Sequence, residues 1–481
     1  MKRLFRLRTL AWLFATLVTL YCLFVAIENW TGARALAAAK AKLAQEGETL
    51  DFASLLPPPI PDAQNFCAIE PLKGLTNPKN KIAPELEALK MPKMPPGSHA
   101  SGAEPDLKPT LAELVKAGIG KDGMTSAEML AALDAAHPLL PKLAKLASER
   151  PQAQFTPQLG EGQKNFTLFE MQLPHYTPAQ KLGRLLVVRA HLAIAAGNAT
   201  EAVRSIQGCL RLSAATSAEP VLISTLVSMT LHMNAQQAVH TLLRARIATV
   251  TELDLLAAEI QRIDFLRVML HGVRGELAAS TQTIETISNR PESRLSFLGF
   301  GSYSHSEETT VFERVLGRLT PQGLIHHGEA QVIELEFKHM LLPLKRGGHV
   351  SPLREMEAWE KDIKDSRSLL NPHGWLVGLM MPAYESVMRQ IYLVEALRRL
   401  SLASIGLEKH RLAHGALPAT LDSPLLDPID QKPLRYRVEN EGYVLWSLAL
   451  DGEDDQGRAL EKNEKETDAR FTGDWVWRMV R

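Results

Sequence analysis

The feature that most constrains this chain is an uncharged, mainly apolar run from Thr9 to Ile27, preceded by Lys2, Arg3, Arg6 and Arg8. About nineteen residues at 1.5 Å each cross the hydrocarbon core of a bilayer as a helix, which satisfies its own backbone polar groups there. Behind the run the charges are mixed: Arg34, Lys40 and Lys42 with Glu28 and Glu46. That asymmetry sets the N-terminus inside and the bulk of the chain on the far side. A cleaved signal peptide is the alternative. Its small-x-small site, Ala33-Arg34-Ala35, lies well past the apolar run, beyond Glu28 and Trp30. Tyr21 before Cys22 is too large for a lipoprotein cleavage site, so an uncleaved anchor is expected.

Thr31 to Glu46 is rich in Ala and Lys and should continue the helix out of the membrane. Leu56-Pro57-Pro58-Pro59-Ile60-Pro61 then predicts an extended, semi-rigid spacer. From there to Pro109 the chain is rich in Pro, Lys, Gly and Ser without periodicity, which predicts a surface segment, partly disordered. Helical signals dominate afterwards. Thr125 with Glu128 predicts a capping box ahead of Met129. Thr177, Pro178 and Gln180 predict the start of a helix through Leu182, Leu186 and Leu192 that stops at Gly197. Asn198 and Glu201 cap the next, with Val203, Ile206 and Leu210 on its apolar face. This pair resembles one tetratricopeptide hairpin, although no repeat of about 34 residues follows. Further helices are predicted from Pro220 to Arg246, from a Thr251 cap to about Ile287, and from Val311 to Leu342 with a break at Thr320-Pro321. Two more run from Leu353 to Leu369 and from Tyr384 to Lys409. The apolar stretch Val221 to Met233 contains His232 and is too short for a second span.

After Gly415 the pattern changes. Pro418, Pro424 and Asp427-Pro428 keep the chain out of helix. Beyond Pro433 the period becomes two: Leu434, Tyr436 and Val438 alternate with Arg435 and Arg437, and Val444, Trp446 and Leu448 share a face. Glu439 to Gly442 reads as a hairpin turn, and Asp474 to Val480 as a third short strand.

Three pieces of this stretch resemble the globular end of the type II secretion major pseudopilin. Gly415, Pro418 and Leu421 match its first motif. Asp427, Pro428, Pro433 and Tyr436 match the second, with one extra residue and Ile429 where the family has Trp. Ser447, Asp451 and Gly452 match the third, with Ala449 in place of Gly. The match covers about the last eighty residues. The whole chain resembles bacterial single-anchor helical proteins with such an end, and no activity comes with that group. In the pseudopilins the later turn binds calcium, so the resemblance implies a Ca2+ site at Asp451, Asp454, Asp455 and Asp474, with Glu453 in the same run. The competing reading is a solvated acidic turn: the EF-hand spacing and the family's Gly-Gly are missing. The pilins' N-terminal G-F-x-x-x-E start is also missing, so assembly as a pilin subunit is not expected.

Lys+Arg and Asp+Glu are both 54, which leaves no basic surplus for a nucleic-acid partner. Cys22 falls in the apolar run, and Cys67 and Cys209 are either paired or, as the commoner outcome, two free thiols. The densest acid–histidine group is His326, His327, Glu329, Glu334, Glu336 and His339. Glu336 and His339 share a helix face, yet two ligands do not make a metal site, and an ordinary paired helical surface is expected there. Ser302, Ser304 and His305 lack a nucleophile-elbow context, and Gly299 and Gly301 lack the third glycine of a dinucleotide loop. Arg435 and Arg437 are expected on a solvated strand face or, functionally, against an acidic partner. No catalytic or cofactor-binding residue emerges.

The expected fold is mainly α: an N-terminal transmembrane helix, an irregular helical-hairpin body and a small C-terminal α+β unit with a short antiparallel sheet. Its divisions are 1–30 for the tip and anchor, 31–110 for the juxtamembrane helix and Pro-rich linker, 111–383 for the body and 384–481 for the pilin-like unit. The expected setting is a bacterial inner membrane, single-pass with the N-terminus inside, and an envelope protein as partner. The expected role is extracytoplasmic interaction or scaffolding alongside a secretion or pilus-type system. An envelope hydrolase with a site between body and C-terminal unit is the alternative.

Overall fold

The helix that holds the apolar run continues well beyond it. In the computed structural model the run is the first half of one helix, α1 (Lys2–Gln45), whose far end buries Leu36, Ala39 and Leu43 against the body. This is the one helix, among the described residues, long and apolar enough to cross a membrane. Leu13, Leu17 and Phe24 in its apolar part are exposed. The structure describes residues 2–76, 81–90, 105–155, 171–290, 294, 311–347, 352–367, 371, 373–381, 384–440, 442–459 and 473–479. Gly299, Gly301, Ser302, Ser304 and His305 lie outside them.

The chain is mainly helical with a small C-terminal sheet. After α1 come two single turns, α2 (Phe52–Leu55) and α3 (Pro84–Glu87), then α4 (Lys108–Lys116), α5 (Ser126–Ala136) and α6 (Leu139–Glu149). The segment expected at the surface instead contributes core: Phe66, Cys67, Leu72, Leu75, Leu86 and Leu89 are buried. The proline spacer is pinned as well, because the Gln154 side chain bonds Ile60 N and the carbonyls of Pro57 and Pro58. Burial of scattered large apolar residues, at about 1.5–3 kcal/mol each, outweighs a composition that looks loop-like.

Next stack α7 (Tyr176–Ala195), α8 (Ala199–Ser217), α9 (Leu222–Ala245), α10 (Val250–Gln261) and α11 (Phe265–Ser288). The Thr125–Glu128 capping box forms, and Asn198 caps α8 through Glu201 N. Two boundaries differ from the sequence reading. α7 begins before Thr177, with no side-chain cap. The long helix expected from Thr251 is two helices: Thr249 and Glu252 form the capping box of α10, and Asp264 caps α11 through Leu266 N and Arg267 N. Asp264 offers the backbone an acceptor that competes with continued helix. Cys67 and Cys209 are free and buried.

The following helices are α12 (Val311–Leu319) and α13 (Gln322–Glu336), broken at Pro321 as expected. A π-helical turn, Phe337–Leu341, leads into α14 (Leu342–Lys345). Pro343 has no N–H for the helical ladder, which explains a register change at that point. Then come α15 (Pro352–Ser366), α16 (Trp375–Met380) and α17 (Tyr384–His414). Gly415 closes α17 with φ +76°, a conformation that suits only glycine well.

α17 is the spine of the molecule. Its first half, with Ile391, Tyr392 and Val394, belongs to a core shared with α1, α11 and α13. Its second half, with Leu400, Ile405 and Leu407, belongs to the core of α5 to α10. Strands β1 (Arg435–Glu439), β2 (Gly442–Ser447) and β3 (Trp475–Met479) form an antiparallel sheet in that order. Tyr443, Leu445 and Trp477 pack into the second core, while Val444, Trp446 and Val476 face a separate cluster that takes in Ala459. The central strand is therefore buried on both faces.

Candidate functional site

The carboxylates that the resemblance implies for calcium lie in one loop at the end of the sheet. Most of them are already engaged by the chain itself. Asp451 accepts from Glu453 N, Asp454 from Gln456 N and the Trp446 indole, and Asp455 from Gly473 N. Asp474 is buried and accepts from Gly457 N at 2.8 Å, while its Oδ1 has no hydrogen-bond partner. Burial pushes Asp474 up to about 6; the bond from Gly457 N opposes this, and Asp454 and Asp455 add to it. An orphaned acidic oxygen beside two more carboxylates suits a hard cation in kind. Among the described residues, however, no three of these carboxylates bring oxygens within 4.8 Å of one another. Calcium would have to draw the loop together.

Arg435 is not solvated as expected. It binds Asp427 and, at 2.5 Å, Asp430. Asp427, fully buried, also accepts from Ile429 N, Ser447 Oγ and Leu448 N at 2.8–3.0 Å. The D-P-x-D motif is thus a strut that ties the loop to the end of β2. Arg437 is more open; it pairs with Glu439 and covers the Trp446 ring.

The acid–histidine group around α13 is divided among three sets of partners. Glu329 and Lys40 form an ion pair at 3.3 Å, with Glu285 also on Lys40. Burial pushes Glu329 up to about 7, opposed by Lys40 and reinforced by Glu285. Glu336 and His339 are both buried, His339 Nε2 sits 2.9 Å from Asp362 of α15, and among the described residues no third ligand joins them in a metal-binding group. His327 faces the anchor.

That junction gathers the most chemistry. Gly32 of α1 meets Gly323 of α13 so closely that a Cβ on either would lie 2.0–2.4 Å from backbone of the other helix. The helices can touch this way because neither residue has a side chain. Asn29 Oδ1 accepts from Gly323 N at 2.8 Å and fixes the register. Glu28, at the end of the apolar run, then faces His327, one turn beyond Gly323. Glu28 Oε2 is 3.7 Å from His327 Nε2, and Glu28 Oε1 is 2.8 Å from Nε2 of His373. His373 is placed from α13 too, because Gln331 and Asn371 exchange amide hydrogen bonds and Asn371 Oδ1 accepts from His373 N. The two imidazoles lie with ring centres 4.3 Å apart. One donor atom from each of Glu28, His327 and His373 falls within 4.8 Å of the other two, and all three side chains are half-buried. Burial, and secondarily the neighbouring His373, lowers the basicity of His327 against the pull of Glu28. Sequence reasoning singled out His327 but read Glu28 as a flanking charge and missed His373.

In the helical body, Glu219 holds His175 Nε2 at 2.7 Å and the Tyr176 hydroxyl, all buried. Burial, then Glu219, pushes the nearby Cys67 thiol up, away from the nucleophilic thiolate. This cluster is a packed polar strut. No family model, curated protein or solved structure matches the chain.

Proposed function

We propose that this protein is a membrane-anchored interaction or scaffold protein whose body is held on the outer side of a bacterial inner membrane, N-terminus inside, beside a secretion or pilus-type assembly. The observation that carries this reading is the continuity of α1. The anchor and the first body helix are one element, locked to α13 at Gly32 and Gly323, so the body is presented at a set position above the bilayer. The long α17 feeding a small antiparallel sheet supports the pilin-like part of the reading.

The hydrolase alternative draws less support from the contact between body and sheet. Ser404 there bonds the Tyr443 hydroxyl and the Trp477 indole, and His240 bonds the Arg478 carbonyl. Among the described residues, the Ser404 hydroxyl is engaged by a tyrosine and a tryptophan, where an activated serine would be paired with a base. The test is crosslinking of the full-length protein in its native membrane, followed by identification of the captured chains. Reproducible capture of a secretion or pilus component is expected; capture of abundant membrane neighbours alone would overturn the reading.

A further inference from the structure

The anchor junction has a second consequence. We propose that Glu28, His327 and His373 bind a divalent transition-metal ion of the zinc class, which clamps the anchor helix to two elements of the body. The inference is independent of whether the protein acts as a scaffold.

The donor set is two imidazole nitrogens and one carboxylate oxygen, within 4.8 Å of one another. Such borderline ligands suit zinc, cobalt or nickel rather than calcium or magnesium. Around a tetrahedral ion with bonds of about 2.0–2.1 Å, donor atoms lie roughly 3.3 Å apart. Glu28 Oε1 lies 2.8 Å from His373 Nε2 and Glu28 Oε2 lies 3.7 Å from His327 Nε2, either side of that value from the two oxygens of one carboxylate. To admit an ion, Glu28 turns one oxygen between the two histidines and His373 gives up the Nε2 proton it now shares with Glu28.

The surroundings favour the same reading. The three side chains belong to three places in the chain: the top of the span, α13, and the turn before α16. The glycine contact and Asn29 fix α1 against α13, and the Gln331–Asn371 pair ties the segment of His373 to α13. Preorganisation of this kind reduces the entropy lost on binding. Thr31 Oγ1 now lies 3.1 Å from His327 Nε2, the nitrogen that would bind the ion. Its hydroxyl also reaches the Ile27 carbonyl at 2.9 Å, so it can give up the histidine without losing its partner. With neutral imidazoles and one carboxylate, the three ligands carry one negative charge against the two positive charges of the ion. Three protein ligands on a half-buried rim leave a fourth position for water.

The experiment uses the full-length protein in detergent micelles, stripped with a chelator and titrated with Co2+ and then Zn2+. Wild type is expected to take up one equivalent of Co2+ with visible ligand-field bands that Zn2+ bleaches, and Zn2+ should raise its Tm. Glu28→Gln, His327→Gln and His373→Gln should each weaken Co2+ binding at least about tenfold and abolish the Tm rise. Glu28→Asp, which keeps the carboxylate, should retain part of the binding. His326→Gln, one residue from the site, should bind as wild type. Circular dichroism of each variant separates lost ligation from lost fold. The proposal is overturned if wild type shows no saturable Co2+ binding below about 1 mM, or if binding survives in folded variants lacking both histidines.

Discussion

Two carboxylates, Asp427 beneath the sheet and Glu28 at the top of the anchor, show how similar residue types take different parts. Asp427 is fully buried and surrounded by donors: two backbone N–H groups, a serine hydroxyl and Arg435. Glu28 is half-buried and faces two imidazoles, one at hydrogen-bond distance and one at 3.7 Å. A carboxylate saturated by fixed donors has nothing left to offer a ligand and serves as a structural strut. One that accepts from a single imidazole N–H can exchange that proton for a metal ion. The acidic loop at Asp474 falls between the two, mostly engaged by backbone N–H groups but with one orphaned oxygen.

The largest effect is expected at the saturated end. Asp427→Ala leaves Arg435, Ile429 N and Leu448 N without their buried partner, at a cost of about 3–5 kcal/mol. Urea unfolding followed by tryptophan fluorescence measures it, and a loss under about 1 kcal/mol would break the contrast. Next comes the glycine contact of the anchor. Gly323→Ala puts a Cβ 2.0 Å from the Glu28 carbonyl oxygen, where only backbone can yield. A cost of about 1–3 kcal/mol is expected, together with weaker cysteine crosslinking between α1 and α13.

Glu329 sharpens the comparison through pH. Its folded value of about 7 lies above that of an unfolded carboxyl, so the folded chain holds this proton more tightly. The stabilisation is fully present below the ordinary carboxylate range and is lost as pH rises through about 7. Glu329→Gln should flatten that fall in unfolding free energy between pH 5 and pH 8, by about 3 kcal/mol at most. An unchanged slope would mean that Lys40 keeps Glu329 ionised throughout.

The smallest effect is expected at Asp474, whose raised value of about 6 gives the same sign over a lower window. Asp474→Asn should match wild type below the ordinary carboxylate range and gain about 1 kcal/mol or less at pH 8. Calcium reverses that ranking if the loop closes on it: the ion should then raise the Tm of wild type and leave Asp474→Asn where it was.

Much of the fold was legible in the chain because its signals are short-range. The span announces itself by length and hydropathy, the caps at Thr125 and Asn198 by spacing, and the hairpin by period two. The errors occur where a local pattern admits two answers. Thr251 and Thr249 both precede a plausible helix, and only the capping box with Glu252 selects Thr249. The segment before Pro109 has loop-like composition, yet Phe66 and Leu72 are fully buried, a property of the surface they meet rather than of their neighbours in sequence. The site was less legible. His327 stood out in a dense group, but its partners Glu28 and His373 are separated by 345 positions in the chain and carry no shared motif.

The sequence by itself determined the long apolar N-terminal helix, the helical class, the three-stranded end and the polar residues available for chemistry. These follow from hydrophobic periodicity, turn residues and local capping, all of which act over a few residues. Only the tertiary structure decided which of those polar residues meet. Helix α13 pairs Glu329 with Lys40, and His327 with Glu28 and His373, because Gly32 and Gly323 let two helices touch and so set which faces confront each other.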